Sequence, residues 1–256
     1  NPLVAGKGAQ ILRDAGIEVE TGVCEAECRE INEVFFHYIT HKTPFVVLKY
    51  AMTLDGKIAA HTGDSRWVTG EAARRHVHET RNRLSGIMVG VGTVLADDPL
   101  LTCRIDGGRN PVRIVCDSHA RTPLGSQLVQ TANEIPTYVA VTARSERTAA
   151  LEEKGVRILV CGETDGHVDL TDLMQQLGSA GINGILLEGG SSLAFSALKA
   201  GIVRRVQAYI APKLIGGADA KSPVGGEGLA KMADALALKN VRSTPLGEDF
   251  LIEGRL

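Results

Sequence analysis

The chain has 256 residues, of which 44% are hydrophobic and 23% are charged, and this composition is typical of globular proteins with a sizeable core. The formal net charge is −2 and no long run of lysine or arginine occurs, which excludes an extended nucleic-acid surface and predicts no nucleic-acid partner. No segment approaches the about 20 consecutive apolar residues that cross a bilayer, so we expect no membrane partner.

The first 42 residues differ in character from the rest. Apolar spacing predicts a helix over residues 4–15, alternation predicts a short strand over 17–21, and a second helix is predicted over 25–38. This unit is too small to stand alone, and Thr43-Pro44 marks a boundary. We therefore predict residues 1–42 to be the end of another domain or a docking segment, and residues 43–256 to form the main domain.

Cysteine usage and the first residues bear on the compartment. Five scattered cysteines, Cys24, Cys28, Cys103, Cys116 and Cys161, favour reduced thiols and a cytoplasmic protein over a disulfide framework. The pair at 24 and 28 lies one helical turn apart, but a zinc site needs two further ligands that we cannot name, so no metal site is predicted. Asn1-Pro2-Leu3 has no signal-peptide character and no initiator methionine, so we expect a piece of a longer protein.

From residue 45 on, strand and helix signals alternate, which indicates a mainly parallel sheet. Strands are predicted over 45–50, 86–91, 112–116, 137–141, 156–160, 184–188 and 206–210. Helices are predicted over 70–83, with Thr69 as the N-cap, over 145–154 and 170–177, and from about 191 through 198. The tail reads as two strands, 238–242 and 250–254, around Pro245-Leu246-Gly247. Because such a hairpin pairs antiparallel, we predict an α/β fold whose mixed, mainly parallel sheet has an antiparallel edge and is flanked by helices.

A strand that runs into Gly90-Val91-Gly92 is the first segment with chemical meaning. Glycines let backbone N–H groups approach a pyrophosphate, and a following helix start adds favourable partial charge. The third glycine of the Rossmann fingerprint is missing, because Leu95 stands there, while Asp117 falls roughly where the ribose-binding acid of that fingerprint belongs. The same residues are equally typical of a tight strand-to-loop turn.

A second strand meets glycines at Glu188-Gly189-Gly190. Ser191 and Ser192 follow as candidate helix caps, and the free N–H groups of the first helical turn make a good anion site. Two such sites in one sheet fit the diphosphate of a dinucleotide. Glu188 at the strand end would face the ligand crevice of an open α/β sheet, although a solvated strand-end carboxylate is the simpler alternative.

Lys49 and Trp67 make up the third segment. Lys49 lies near the end of an otherwise apolar strand, where a lysine is costly unless it is paired or functional. The lone tryptophan, Trp67, lies in a polar loop just before a helix. It either covers the edge of the core, as loop aromatic residues commonly do, or stacks on a cofactor.

These segments together resemble one known family. Several unrelated motifs match it jointly, in order and spacing, at residues 49–59, 65–69, 93–102, 116–118, 188–190 and 211–217. Over residues 43–256 the chain resembles the reductase half of the bifunctional riboflavin-biosynthesis deaminase–reductase, and residues 1–42 resemble the end of the deaminase half. The zinc deaminase signature, H-x-E followed by P-C-x-x-C, does not occur here. The resemblance thus places zinc and deamination upstream of this sequence.

The resemblance implies a dihydrofolate-reductase-like fold, NADPH as hydride donor and a homodimer. The implied substrate is 5-amino-6-(5-phosphoribosylamino)uracil, a small phosphoribosyl-pyrimidine, and the implied product is its ribityl amine. The implied cofactor contacts are Ala51, Trp67, Thr93, Asp97, Ser118, Gly190, Ser191, Ser192, Leu193, Ala194, Phe195 and Ser196. The implied substrate contacts are Ser65, Arg81, Leu101, Arg104 and Glu188.

Physical reasoning adds to two of these groups. Arg81 and Arg104 suit the 5′-phosphate because a guanidinium fork matches phosphate oxygens, although a helical arginine is more often a solvated surface residue. Ser118 and the neighbouring Arg121 suit the 2′-phosphate of NADPH. Asp117 beside them would oppose that charge unless it points elsewhere.

For the reaction, we expect the ribosylamine ring to open to an imine whose C1 accepts the hydride, with Lys49 and Glu188 as catalytic candidates for polarising or protonating the substrate. Two alternatives stay open. A pteridine reductase of the dihydrofolate-reductase type would need a buried carboxylate on a helix and no phosphate-binding arginines. A non-catalytic NADPH sensor would bind the cofactor without turnover.

Overall fold

A nine-stranded sheet forms the centre of the computed structural model, which describes residues 4–256. The strands are β1 (Phe45–Thr53), β2 (Gly86–Gly90), β3 (Val112–Cys116), β4 (Thr137–Val141), β5 (Arg157–Val160), β6 (Glu163–Thr164), β7 (His167–Val168), β8 (Gly184–Glu188), β9 (Val203–Ala211), β10 (Lys239–Leu246) and β11 (Asp249–Arg255). The helices are α1 (Lys7–Asp14), α2 (Glu25–Ile31), α3 (Glu33–His41), α4 (Glu71–Arg83), α5 (Val91–Asp97), α6 (Gln127–Gln130), α7 (Glu146–Glu153), α8 (Leu170–Ser179), α9 (Ser191–Lys199) and a 3-10 helix, Met232–Asp234.

The sheet is mixed, as the sequence predicts. Its strand order is β10-β11-β9-β1-β8-β2-β3-β4-β5. The seven strands from β9 to β5 pair in parallel, whereas β11 runs antiparallel to both β9 and β10. The short strands β6 and β7 form a separate antiparallel hairpin. The predicted α/β fold with an antiparallel edge at the C-terminus is therefore confirmed.

Helices cover both faces of the sheet. On one face, α8 and α9 contribute Leu173 and Ala197 to a core that includes Leu48 and Leu187 of the central strands. On the other face, the helices α5, α6 and α7 pack over the outer strands β2, β3 and β4. The amino-terminal part of α4 packs there against β9 and β11. None of the helices in residues 4–256 is long and apolar enough to cross a membrane.

The last part of the first 42 residues packs on the main domain. Val34 packs against the buried cluster of Phe45 and Leu84, and the hydroxyl of Tyr38 donates to the Gly178 carbonyl at 2.9 Å. Arg205 of β9 lies 3.0 Å from a carboxylate oxygen of Glu33. These contacts fasten α3 to the sheet, and the boundary at residue 42 stays a prediction.

Two predictions in the same segment are wrong. Residues 17–21 form no strand, because both edges of the sheet lie elsewhere, at β10 and β5, and alternation alone supplies no pairing partner. The predicted helix over 25–38 is two helices that meet at Asn32, whose φ of −106° and ψ of 16° break the helical path. The side-chain amide of Asn32 donates to the Cys28 carbonyl, so it competes with the helical ladder there.

The predicted helix caps are also wrong. The helix α4 begins after Gly70 rather than Thr69, and the Gly70 N–H donates to Asp249 Oδ2 at 2.7 Å. A carboxylate from β11 thus satisfies this helix end, and no local spacing encodes it. The N-cap of α9 is Gly190, with no side-chain cap, so Ser191 and Ser192 lie inside the helix.

Candidate active site

Three charged side chains meet at the carboxyl end of β8, beside the middle of β1. The register places Lys49 directly beside Glu188, and the Lys49 Nζ lies 3.6 Å from Glu188 Oε2. Arg81 of α4 reaches the same carboxylate with two N–H groups, Nε to Oε1 at 2.7 Å and Nη2 to Oε2 at 3.0 Å. The side chains of Glu188, Arg81 and Lys49 are 11%, 13% and 17% exposed. Glu188 is therefore a buried, doubly paired carboxylate, and the solvated alternative is wrong.

The two cations decide the ionisation of Glu188. Burial by itself raises the pKa of Glu188, but attraction to Arg81 and Lys49, together with the hydrogen bonds from Arg81, outweighs it and holds the pKa at about 2. The carboxylate is thus ionised at neutral pH. It supplies negative charge to the site and has no proton to donate there.

Arg81 is a partner of Glu188 and not a solvated surface residue. Its Nη1 also donates to the Thr102 carbonyl at 2.8 Å, so three of the five N–H groups of a guanidinium are engaged. The contact to Thr102 ties α4 to the segment that carries Leu101 and Arg104. The side chain of Leu101 is 6% exposed and belongs to the core, so only its backbone is available to a ligand.

The loop that carries Ser65 and Trp67 is held from two directions. Lys213 Nζ donates to the carbonyls of Trp67 at 3.0 Å and Val68 at 2.8 Å, and the guanidinium of Arg74 lies 4.6 Å from the centroid of the Trp67 ring. Trp67 is nevertheless 59% exposed. It does not cover the edge of the core, because most of its ring is open to solvent.

The glycines after β8 form a backbone cradle at the start of α9. Gly189 and Gly190 have φ values of 73° and 83°, which L side chains rarely adopt. A Cβ on Gly189 would lie 2.9 Å from the Thr93 hydroxyl of α5. The first turn of α9 has no side-chain cap, so its N–H groups are available to an anion.

The other expected cofactor contacts differ in exposure. The side chain of Ala194 is buried at 4% in the core, so it offers a ligand only its backbone. The remaining residues are half-buried or exposed, namely Ala51, Thr93, Asp97, Ser118, Ser191, Ser192, Leu193, Phe195 and Ser196. Ala51 lies within β1, and the others follow the carboxyl ends of β2, β3 and β8, where ligands bind in open parallel sheets.

In the turn after β3, the carboxylate of Asp117 is buried. Asp117 is fully buried, and its Oδ2 accepts hydrogen bonds from the main-chain N–H and the hydroxyl of Thr122, each at 2.7 Å. Arg121, 58% exposed, lies 3.8 Å from the other oxygen. The Ser118 hydroxyl accepts a hydrogen bond from the Val168 N–H at 3.0 Å. Asp117 is therefore buried, with one oxygen bound by Thr122 and the other beside Arg121.

Comparison with known proteins relates this site to one family. The family model described as the RibD C-terminal domain matches residues 44–252. The riboflavin biosynthesis protein RibD of Actinobacillus pleuropneumoniae is 53% identical over 254 residues, which covers 99% of this chain and 68% of that protein. The 2,5-diamino-6-ribosylamino-4(3H)-pyrimidinone 5′-phosphate reductase of Methanothermobacter thermautotrophicus is 47% identical over 215 residues, covering 82% of this chain and 97% of that one.

A solved structure also resembles this chain over its whole length. The crystal structure of a diaminohydroxyphosphoribosylaminopyrimidine deaminase/5-amino-6-(5-phosphoribosylamino)uracil reductase from Thermotoga maritima superposes with a TM-score of 0.81 at 34% identity. The match covers 100% of this chain and 68% of that chain. The resemblance drawn from the sequence motifs is confirmed, and so is the fold that it implies.

Proposed function

The chain belongs to the RibD C-terminal domain family, and from that membership we propose that it reduces 5-amino-6-(5-phosphoribosylamino)uracil with NADPH to 5-amino-6-(5-phosphoribitylamino)uracil. It is a riboflavin-pathway reductase. The observation that carries the substrate proposal is the buried cluster of Lys49, Glu188 and Arg81, at the same sheet edge as the glycine cradle of α9. The proposal includes a cytoplasmic homodimer and assigns residues 1–42 to the end of a deaminase domain.

The residues of the cradle fit the proposed cofactor. The tight approach of Gly189 to Thr93 leaves backbone rather than side chain facing the ligand, and the uncapped N–H groups of α9 suit a diphosphate. The exposed ring of Trp67 and the exposed Arg121 offer an aromatic contact and a cation for the 2′-phosphate. When bound, the reduced nicotinamide supplies a hydride to C1 of the open-chain substrate.

Glu188, Lys49 and Arg81 have different roles in the proposed reaction. C1 of the protonated imine carries positive charge, which the ionised Glu188 stabilises. We assign to Lys49 the donation of the one proton that the ring oxygen gains when the C1–O bond breaks, because Glu188 is held as a carboxylate by its two cationic partners. The imine nitrogen keeps the hydrogen that it already carries, so the hydride reaches C1 of a protonated imine. Arg81 fixes the orientation of Glu188 through two hydrogen bonds.

The structure disfavours a pteridine reductase. Such an enzyme needs a buried carboxylate on a helix, whereas the fully buried carboxylates among the described residues are Asp117, Glu188 and Asp249. The largely covered Glu33 of α3 is already paired with Arg205 and Arg255. Glu188 and Asp249 lie on strands and Asp117 directly follows one. None of the three is in a position to hold a pteridine ring from a helix.

The proposal is tested by following the oxidation of NADPH with the purified chain. Three substrates are compared: the phosphoribosylamino-uracil, the 2,5-diamino pyrimidinone 5′-phosphate and dihydrofolate. We expect oxidation with the uracil and none with dihydrofolate. Faster oxidation of the 2,5-diamino compound would move the proposal to that substrate. Cofactor binding without oxidation of NADPH by any of them would favour the sensor.

Arg121 is predicted to set the preference for NADPH over NADH. Replacing Arg121 with serine should raise the KM for NADPH about tenfold and leave the KM for NADH nearly unchanged, because a hydrogen bond to a charged group is worth about 1.5–3 kcal/mol. Steady-state kinetics with both cofactors measures this. The matched control is Arg29→Ser, at an arginine on α2 whose side chain is 66% exposed against 58% for Arg121. Equal changes with NADPH and NADH would rule out a 2′-phosphate contact.

A further inference from the structure

His78 contacts Arg104 with both nitrogens of its ring. His78 lies on α4, one turn before Arg81. Its Nδ1 lies 3.2 Å from the main-chain N of Arg104, and its Nε2 lies 3.3 Å from both Nε and Nη2 of the guanidinium. The Cys103 thiol donates to the His78 carbonyl at 3.4 Å, which fastens the same segment to α4.

These contacts cannot all be hydrogen bonds. Main-chain N–H and guanidinium groups only donate, and a neutral imidazole has one acceptor nitrogen. The ring is neutral because burial, together with the charges of Arg81, Arg104 and Lys49, outweighs Glu188 and lowers the pKa of His78 to about 4. The main-chain N–H cannot turn away, whereas a guanidinium rotates freely. Nδ1 is therefore the acceptor, and Nε2 carries the hydrogen.

Donors without an acceptor consequently converge at one place. The Nε2–H of His78 and the guanidinium of the exposed Arg104 face each other, and Arg104 has no carboxylate partner among residues 4–256. Arg81 differs, since Glu188 and Thr102 already engage three of its N–H groups. Once the guanidinium turns out of its 3.3 Å contact with Nε2, one anion beside the two residues satisfies both sets of donors at once.

We propose that His78 is a direct ligand of the substrate's 5′-phosphate, donating from Nε2 to the phosphate group that Arg104 binds. The inference rests on the proposed function and deepens it by naming a further phosphate ligand. No sequence motif points to His78. The inference also gives Arg104 and Arg81 different roles. Arg104 supplies the unpaired positive charge for the phosphate, and Arg81 contributes the N–H groups that Glu188 and Thr102 leave free.

Two nearly isosteric replacements separate direct contact from positioning. The amide of glutamine occupies the place of Nε2 and keeps a donor there, whereas asparagine reaches only the place of Nδ1 and keeps the acceptor for the Arg104 N–H. The probe is ribose 5-phosphate, whose dissociation constant is measured by calorimetry for the wild type, His78→Gln and His78→Asn. His41→Leu, an exposed histidine on α3, is the control, and melting curves verify folding.

Direct contact predicts that His78→Asn weakens ribose 5-phosphate binding about tenfold or more, while His78→Gln stays within about threefold of the wild type. The KM for the pyrimidine substrate should follow the same order, with kcat little changed. The reverse order, with asparagine tolerated and glutamine not, would show that His78 only positions Arg104 and would overturn the inference. Equal binding by both variants would overturn it too.

The two proposals fail separately. Absence of pyrimidine-dependent NADPH oxidation in the wild type contradicts the proposed function. The order of ribose 5-phosphate affinities is measured without turnover, and it decides the role of His78 on its own.

Discussion

Replacing Glu188 with glutamine is expected to lower kcat by about 100-fold or more. The amide keeps the shape of the side chain but removes the negative charge that Arg81 and Lys49 share at 2.7 Å and 3.6 Å. The two cations then face each other without their counter-ion, and the developing positive charge at the reacting carbon loses its stabilising partner. Steady-state oxidation of NADPH with the phosphoribosylamino-uracil measures the loss.

The control for this variant is Glu253→Gln. Glu253 lies on β11 of the same sheet and accepts a hydrogen bond from Gln207 at 2.9 Å, outside the proposed site. Only Glu188→Gln should reduce kcat strongly. A raised KM with unchanged kcat would instead assign Glu188 to substrate binding.

The charge of Glu188 also makes the free energy of unfolding depend on pH. Its folded-state pKa of about 2 lies below the ordinary value of 4.5. The stability that its ion pairs contribute is therefore complete above pH 4.5 and is lost as the pH falls through about 2. In Glu188→Gln, the free energy of unfolding should not show this loss between pH 4.5 and about 2.

Arg113→Met is expected to lower the free energy of unfolding by about 3 kcal/mol or more. Arg113 on β3 is 0% exposed, and its guanidinium donates to the hydroxyls of Thr137 and Thr131 at 2.9 Å and 2.8 Å. It also donates to the carbonyls of Leu100, Leu128, Thr131 and Ile135. Methionine fills much of the volume but leaves these buried acceptors without donors.

Urea unfolding measures this loss, and Arg157→Met is the matched control because Arg157 is an exposed arginine on β5. Burial lowers the pKa of Arg113 to about 10, so the side chain is still charged at neutral pH and its donors are all present. A loss below about 1 kcal/mol would mean that water or relaxation replaces the donors. The contact to the Leu100 carbonyl further predicts a raised KM for the substrate, since it holds the segment that leads to Arg104.

Local patterns were enough to predict the candidate catalytic pair. Lys49 in an apolar strand and Glu188 before two glycines are unusual in themselves, and the carboxyl ends of parallel strands meet at one edge. The structure adds that the two residues are in register. It also shows why neither residue is solvated, since Arg81 approaches from a helix on the same face.

Other parts of the site have no local signal. Lys213 holds the carbonyl of Trp67, 146 positions away along the chain, and Asp249 satisfies the start of α4 across 179 positions. His78 and Arg104, which are in contact, lie 26 positions apart along the chain, and no motif links the two positions. No spacing rule reaches so far, because each of these contacts exists only after the sheet has formed.

The α/β class, the antiparallel edge, the family and the residue types available for chemistry can all be predicted from the amino-acid sequence alone. These depend on periodicity, glycine placement and motif order, which are properties of neighbouring residues. The tertiary structure alone decided that Glu188 is ionised between Arg81 and Lys49, that Asp117 turns inward, and that residues 17–21 form no strand. Charge state, side-chain direction and strand pairing depend on which distant groups come within a few ångströms, and only the folded chain brings those groups together.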